Sequence, residues 1–162
     1  MAQKPLQPIT PFLWFDGKAE EAMNFYVSIF PNSRTVGVTR YGEAGPGPKG
    51  SVMTAAFVLN GQQFTALNGG PTLTFTPAIS FVVHCDTQAE VDGYWAKLTA
   101  GGQEGQCGWL TDRFGVSWQV VPNALVRMLQ DPDRERSKRV VAALMPMKKL
   151  DVAALERAYD QP

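Results

Sequence analysis

The sequence predicts an α+β fold in which two βαβββ modules follow one another and a C-terminal helical tail is appended. Strand-like and helix-like apolar patterns occur in the order β-α-β-β-β, and the same order begins again about 70 residues later. From Asn123 onward the composition becomes helical and charged. We therefore expect a single domain over residues 1–162, with module one at about 9–68, module two at about 79–121 and the tail at about 123–160.

Apolar periodicity and turn residues define the first module. A helix is expected over Lys18–Phe30, where Ala19, Ala22, Met23, Tyr26 and Phe30 recur at helical spacing. The segments rich in β-branched and aromatic residues are expected to be strands: Ile9–Phe15, Thr35–Tyr41, Ser51–Leu59 and Gln63–Leu67. Gly42–Gly50 is a loop, and Asn60-Gly61 favours a two-residue hairpin turn with positive φ at both positions.

The second module repeats this order after a connector at Asn68–Pro77. A strand is expected at Ile79–Cys85, a helix at Gln88–Thr99, and shorter strands around Gln106–Leu110 and Val116–Val121. Three tail helices follow: Ala124–Leu129, a run to Leu144 capped by Asp133, and Val152–Tyr159 capped by Asp151. Leu125, Met128, Leu129, Val141 and Leu144 recur at helical spacing, so the tail is expected to contribute core.

An internal repeat supports the two modules. A shift of about 70 residues places Ile9 on Ile79 and Ala19 on Ala89, together with two acidic identities. A second alignment sets Gly61–Thr65 over Gly115–Gln119, so each module closes with a glycine turn and an aromatic strand. Thr65 and Gln119 are thereby predicted to occupy equivalent positions.

Composition and charge exclude several classes of protein. With 44% hydrophobic and 19% charged residues the chain is globular, and its 15 basic and 15 acidic residues cancel. We therefore expect no nucleic-acid partner and no anionic membrane partner. The uncharged stretch Gly50–Cys85 is broken by turn residues into pieces of strand length, which favours buried sheet over a membrane span. The N-terminus lacks the apolar core of a signal peptide and two cysteines make no disulfide framework, so a cytoplasmic protein is expected.

Several segments resemble one known family. These are ITPFLWFDGKAEEAMNFYVSIFPNS, the ALNGGP connector, ISFVVHCDTQAEVDGYWAKL, CGWLTDRFGVSWQVVP and the tail segment MKKLDVAALERAY. They are similar to the PhnB-like branch of the vicinal oxygen chelate superfamily, often labelled "3-demethylubiquinone-9 3-methyltransferase". The superfamily includes glyoxalase I, extradiol dioxygenases, and fosfomycin- and bleomycin-resistance proteins. The resemblance implies that each module forms half of an incompletely closed barrel whose concave faces enclose a ligand or a metal.

The resemblance also implies where a metal would bind. The superfamily's enzymes use a His or a similar ligand early in the first strand of each module and a Glu in the last strand. Here Thr10-Pro11 and Ile79-Ser80 occupy the early positions, and Thr65 and Gln119 occupy the late ones. No three strong ligands survive, so we expect no metal and no cofactor. His84, the only histidine, is expected near the edge of a sheet rather than as a ligand or base.

The remaining candidates suit a pocket that binds through aromatic walls and a few amides. Trp14, Phe15, Trp109 and Trp118 are the aromatic candidates, and the floor is predicted to hold Gln119 with Trp118 and Trp109 nearby. The candidate pocket residues are Trp14, Gln63, Thr65, Asn68, Cys107, Trp109, Trp118 and Gln119. Cys85 and Cys107 are expected to pack rather than to act as nucleophiles, because an activated thiolate needs a cationic or helix-terminal setting and Cys107 is flanked by small neutral residues. Gly45–Gly50 is expected to be a flexible hairpin tip and a lid.

Together these features predict a small-molecule-binding protein with no assigned catalytic residue. Methyl transfer is not expected, because the first strand continues into Asp16-Gly17-Lys18 without a glycine-rich turn and the strand order is not doubly wound. Two alternatives stay open: a metal-dependent lyase or dioxygenase of the same superfamily, and a structural or regulatory homodimer without ligand. A homodimer is expected because the tail has apolar helical faces. Those faces carry Val140, Val141, Leu144, Leu150, Leu155 and Tyr159.

Overall fold

The structure is a computed structural model that describes residues 7–161. The described residues fall into two compact units, one ending at Thr74 and the other beginning at Phe75. Each unit contains one four-stranded sheet, and the described residues form five helices and no closed barrel. The predicted α+β fold of two βαβββ modules with a helical tail is confirmed. That both units act as a single domain stays a prediction.

The first unit contains one helix and four strands. In chain order these are β1 (Phe12–Phe15), α1 (Ala19–Ile29), β2 (Arg34–Arg40), β3 (Val52–Leu59) and β4 (Gln62–Asn68). The strand order is β1-β4-β3-β2, with β1 parallel to β4 and the other pairs antiparallel. The β3–β4 hairpin turns at Asn60 and Gly61 with φ angles of 46° and 86°, which confirms the predicted turn.

Helix α1 covers one face of this sheet. Its buried residues are Ala19, Ala22, Met23, Tyr26 and Ile29. The prediction that Phe30 is a helical residue on this face is wrong, because the helix ends at Ile29 and Phe30 follows it with extended backbone. Ile29 is the buried residue at this end of the helix. Below the helix, the ring centroids of Tyr26 and Phe57 lie 6.1 Å apart and those of Phe57 and Phe64 lie 5.5 Å apart. These stacked rings form the centre of the first unit's core.

The second unit repeats the pattern and adds three helices. Its elements are β5 (Phe81–Cys85), α2 (Gln88–Thr99), β6 (Gln103–Glu104), β7 (Trp109–Thr111), β8 (Ser117–Pro122), α3 (Asn123–Leu129), α4 (Arg134–Leu144) and α5 (Val152–Asp160). The strand order is β5-β8-β7-β6, again with one parallel pair, β5–β8. Helix α2 starts with a capping box between Thr87 and Glu90 and buries Val91, Trp95 and Leu98.

Strand register supports the internal repeat residue by residue. In the first sheet Phe12 pairs with Thr65, and in the second sheet Val82 pairs with Gln119. Phe12 and Val82 are 70 residues apart, the same shift that aligns the two modules. Thr65 and Gln119 therefore occupy equivalent places in the two sheets, as the alignment predicted.

One predicted strand begins later than expected. The segment Gln106–Leu110 becomes strand only from Trp109, because Cys107 and Gly108 have φ angles of 58° and 84°. Their backbone N–H groups donate to the carbonyls of Met147 and Lys148 at 2.7 and 2.8 Å. The segment is thus a turn held by the tail, a long-range contact that local periodicity does not reveal.

The helical tail has a core of its own. Leu125, Met128, Val140, Leu150 and Leu155 are buried together, with Val121 of β8 packed against them. Leu129 and Val141 were also expected to lie in the core, which is wrong, because their side chains are 41% and 42% exposed. Successive helix residues differ by about 100° in direction, so α4 turns Val140 inward and its neighbour outward.

None of the helices among residues 7–161 combines the length and the apolar character that a membrane crossing requires.

Candidate functional site

Each sheet has a face opposite its covering helix, here called its helix-distal face. On the second sheet, Val82 pairs with Gln119 and Gln119 pairs with Trp109. These three side chains therefore form one row across β5, β8 and β7. The neighbouring strand residues alternate with buried ones such as Val83 and Val120, which lie on the side of α2. Two predicted pocket residues, Trp109 and Gln119, are brought together on this face.

A hydrogen bond organises the polar centre of this row. Gln119 Nε2 donates to Ser80 Oγ at 2.9 Å. Gln119 Oε1 is then left as an acceptor and the Ser80 hydroxyl hydrogen as a donor. Both residues are half-buried. The pair presents a donor and an acceptor side by side, next to an aromatic ring.

The side chains of Trp118 and Gln119 were expected to share one surface, but the structure places them on opposite faces of the sheet. Consecutive strand residues point to opposite faces, so Trp118 faces α2 when Gln119 faces away. Trp118 is 3% exposed, and its ring centroid lies 5.4 Å from that of Phe81. The indole Nε1 donates to Asp112 Oδ2 at 2.9 Å. Trp118 is part of the core and lines no ligand surface.

Asp112 is the residue that sequence reasoning missed here. It is 3% exposed, and its Oδ1 accepts from the backbone N–H groups of Phe114 and Val116 at 2.8 and 3.1 Å. Together with the bond to Trp118, these contacts satisfy both carboxylate oxygens. The signal in the sequence is an Asp three residues before Gly115, a pattern typical of a side-chain-stabilised turn. Asp112 holds the turn that sets the register of β8.

The helix-distal face of the first sheet has fewer polar groups free for a ligand. Thr65 lies on its helix-distal face in the row with Phe12, which is 59% exposed. Gln63 lies on the same face, but it is already paired with Gln7. The backbone N–H of Gln7 donates to Gln63 Oε1 at 3.2 Å, and the backbone N–H of Gln63 donates to Gln7 Oε1 at 3.1 Å. The side-chain oxygen of Gln63 is used within the fold.

Asn68, Trp14 and Phe15, also predicted candidates, have structural partners. Asn68 Oδ1 accepts from the backbone N–H of Ala19 at 2.8 Å, so a residue of β4 caps α1. Trp14 Nε1 donates to the Gly70 carbonyl at 2.9 Å. Phe15 is 3% exposed and packs in the core under α1. All three residues therefore have structural roles within the first unit.

The loop between β2 and β3 lines a cavity of about 450 Å³ in the first unit that is open to solvent on one side. This loop, predicted to be a flexible tip and a lid, is folded against Tyr41, where Cβ atoms at Gly45 and Gly47 would come within 2.7 and 2.4 Å of the ring. Ser51 Oγ further donates to the Pro48 carbonyl at 2.6 Å. The lining residues are Asp16, Gly17, Glu20, Tyr41, Pro46, Gly47, Pro48, Ser51, Val52, Asn68, Gly69 and Gly70. Of the predicted pocket residues, this cavity includes only Asn68.

The two cysteines lie in different environments. Cys85 is fully buried, and burial with the nearby carboxylates of Glu90 and Asp86 raises the pKa of its thiol to about 11. Such a thiol stays protonated and is a poor nucleophile. Cys107 is half-buried, and its Sγ lies 3.8 Å from the Leu144 and Met145 carbonyls. It contacts the tail and is not part of the Gln119 surface.

The residues at the superfamily's metal positions do not fit a metal. Ser80 and Gln119 bond to each other, and Thr65 brings only a hydroxyl. Among residues 7–161 no group of three or more His, Cys, Asp or Glu side chains is placed to hold a metal ion. His84 is exposed on β5 and pairs with Val121 of β8. Neutral oxygens of this kind suit hydrogen bonding to an organic molecule.

The two βαβββ sheets define a protein of the glyoxalase-like, vicinal oxygen chelate fold. A family model described as 3-demethylubiquinone-9 3-methyltransferase matches residues 7–121. The chain belongs to this family. The match ends at β8, so the helical tail lies outside it. A comparison with curated proteins gave no match.

Solved structures agree with the family assignment. A PhnB protein from Bacillus cereus is 45% identical over 72% of this chain and 99% of its own, with a TM-score of 0.66. A protein from Pseudomonas aeruginosa is 25% identical over 73% of this chain and 98% of its own, with a TM-score of 0.60. The fosfomycin resistance protein FosX from Listeria monocytogenes, in complex with Mn(II) and sulfate, shares 14% identity over 78% of this chain and 98% of its own. Its TM-score of 0.54 shows likeness of fold.

Proposed function

We propose that the chain binds a small organic molecule on the helix-distal face of its second sheet, without a catalytic metal. The observation that carries the proposal is the Gln119–Ser80 hydrogen bond beside Trp109. The carbonyl oxygen of Gln119 has no partner among residues 7–161 and stands next to the Ser80 hydroxyl, and the aromatic ring offers a surface for stacking. The complementary ligand is an uncharged or anionic molecule with adjacent acceptor and donor groups, such as a carboxamide or a hydroxycarbonyl compound.

Methyl transfer is not part of this proposal, whatever the description of the family. Each sheet has one parallel strand pair and only four strands, unlike the doubly wound sheet of typical methyl transferases. The turn after β1 is Asp16-Gly17-Lys18, which provides no glycine-rich phosphate or nucleoside loop. Both features favour binding through the sheet face.

A melting screen tests the proposal. Small carboxamides and hydroxycarbonyl metabolites are added to the purified chain and the melting temperature is recorded. A ligand at about 100 times its Kd stabilises by about 2.7 kcal/mol, which raises Tm by roughly 5–10 °C for a protein of this size. The Gln119→Ala variant should lose this shift, because it removes the acceptor and releases Ser80.

The matched control is Gln106→Ala, which removes an exposed amide from the turn before β7. This variant should keep the full shift. A library without any stabilising member, or one whose active members act equally on Gln119→Ala, contradicts the proposal.

We further propose that the chain forms a homodimer. Three of the tail residues expected at the dimer interface, Val140, Leu150 and Leu155, are buried within the chain and are not available to a partner. The support comes instead from apolar side chains on two edge strands: Phe12 of β1 is 59% exposed and Val82 of β5 is 43% exposed. Light scattering at micromolar concentration should give twice the 17.7 kDa of one chain. A monomeric mass contradicts the proposal.

A further inference from the structure

We propose that the cavity of the first unit is a second binding site, for an organic ammonium compound with a short alkyl body. It lies wholly within residues 16–70, whereas the surface around Gln119 belongs to the second unit. Its volume of about 450 Å³ is within the range of small-molecule pockets, about 300–1,000 Å³. The site is independent of the function proposed above.

One wall of the cavity is apolar and held in place. Pro46, Pro48 and Val52 contribute aliphatic surface to it. The loop is anchored because Gly47 lies directly on the ring of Tyr41, too close for any side chain at that position. Ring and loop are further tied through the backbone N–H of Tyr41, which donates to the Ser51 carbonyl at 2.9 Å. This wall is therefore formed before any ligand binds.

The floor is equally well supported. The Tyr41 hydroxyl donates to the Asn68 carbonyl at 2.6 Å. Gly69 lies on the indole of Trp14, where a Cβ would come within 2.3 Å of the ring, and Gly70 accepts from the same indole. Trp14 thus acts from behind the cavity as a support for its floor. The two glycines leave space that side chains would otherwise occupy.

Another part of the lining carries the charge. Asp16 and Glu20 contribute carboxylates, and no basic residue is among those lining the cavity. The basic residues nearest in sequence have other partners. Lys18 pairs with Glu21 at 2.7 Å, Lys49 pairs with Glu43 at 2.5 Å, and Arg40 donates to the Gly50 carbonyl.

This combination selects the class of ligand. The two carboxylates repel anions and attract a cation. At the N-terminus of α1, the N–H of Ala19 already has Asn68 Oδ1 as its acceptor. The apolar wall adds affinity for an alkyl chain in contact with the prolines. A primary alkylammonium ion satisfies both walls at once.

Three probes of equal length and different charge test the site: hexylammonium, hexan-1-ol and hexanoate. Each is titrated into the full chain labelled with ¹⁵N while amide shifts are followed. Hexylammonium should shift the amides of Gly17, Gly47, Gly69 and Gly70. Its Kd should be at least about tenfold lower than that of hexan-1-ol, a difference of about 1.4 kcal/mol. Hexanoate should leave these amides unchanged.

Two charge variants separate this site from general attraction to an acidic surface. The double variant Asp16→Asn/Glu20→Gln should weaken hexylammonium binding by about tenfold or more. The matched control Glu21→Gln removes an exposed carboxylate of the same helix that does not line the cavity, and it should leave the Kd within about twofold. Equal affinity for hexylammonium and hexan-1-ol, unchanged binding by the double variant, or shifts confined to other residues would each overturn the proposal.

Discussion

The carboxylate of Asp112 offers the sharpest test of how the structure places Gln119 on the helix-distal face of the second sheet. Asp112→Ala removes the acceptor of three donors: the backbone N–H groups of Phe114 and Val116, and the indole N–H of Trp118. Val116 and Trp118 are each 3% exposed, so water replaces the lost acceptor poorly. The turn before β8 and the inward position of Trp118 both depend on this carboxylate.

The magnitude follows from these contacts. An unsatisfied buried donor costs about 1–3 kcal/mol, so two of them give about 2–6 kcal/mol. Removing a buried carboxylate returns part of its desolvation penalty, and we therefore expect Asp112→Ala to destabilise by about 3 kcal/mol. Asp112→Asn keeps Oδ1 for the turn but turns a nitrogen toward the indole N–H of Trp118. Its loss should be smaller, about 1–2 kcal/mol.

Urea unfolding followed by far-ultraviolet circular dichroism measures both variants. Asp160→Asn, at an exposed carboxylate of α5, is the matched control and should change stability by less than about 0.5 kcal/mol. A double-mutant cycle of Asp112→Asn with Trp118→Phe should give a coupling energy of about 0.5–3 kcal/mol. If Asp112→Asn matches the control and the cycle shows no coupling, the carboxylate does not hold Trp118 and the reasoning is refuted.

Four further outcomes are expected. Deleting the helical tail should lower Tm by tens of degrees or abolish soluble expression, because five buried side chains lose about 1.5–3 kcal/mol each; calorimetry showing Tm within a few degrees of the full chain contradicts this. Ellman's reagent should modify Cys107 faster than the buried Cys85. In the Cys107→Ser variant the remaining thiol, Cys85, should react quickly only after unfolding, and equal rates for the two cysteines in the folded chain would contradict this. A tyrosine hydroxyl lowers the pKa of Asp131, so its carboxylate stabilises the fold above about pH 4 and loses this effect as pH falls through the lowered value. The Tm difference between the unmodified chain and Asp131→Asn should therefore shrink between pH 6 and pH 2, and a constant difference argues against it. Metal analysis should find no stoichiometric zinc, nickel, manganese or iron in the purified chain, and Gln119→Glu should add little affinity, since one carboxylate does not complete a site; a stoichiometric metal would favour a lyase or dioxygenase instead.

The sequence alone was sufficient for the architecture, because the architecture depends on local patterns. Helical spacing in α1 and α2, β-branched strands and the Asn60-Gly61 turn each act over a few residues. The repeat of these patterns after about 70 residues gave the two modules. The same alignment placed Thr65 and Gln119 at equivalent positions, which strand register then supported.

Side-chain roles depended on contacts that have no signal in a local pattern. Asn68 and Gln63 were predicted as ligand amides, but each is bound by a residue about 50 positions away, Ala19 and Gln7. Trp118 was predicted to lie beside Gln119, although the alternation of strand residues puts them on opposite faces. An amide or an indole has the same appearance in a sequence whether its partner is a ligand or the fold itself.

Sequence by itself therefore determined the two modules, the order of the helices and of every strand except the two-residue β6, and the family to which the chain is similar. Tertiary structure alone decided that Ser80 contacts Gln119, that Cys107 is held by the tail, and that the loop after Tyr41 packs on its ring around a cavity. The physical reason is the separation along the chain over which each kind of interaction acts. Backbone preferences act between neighbours in the chain, whereas hydrogen-bond partners and cavities arise only when distant segments have packed together.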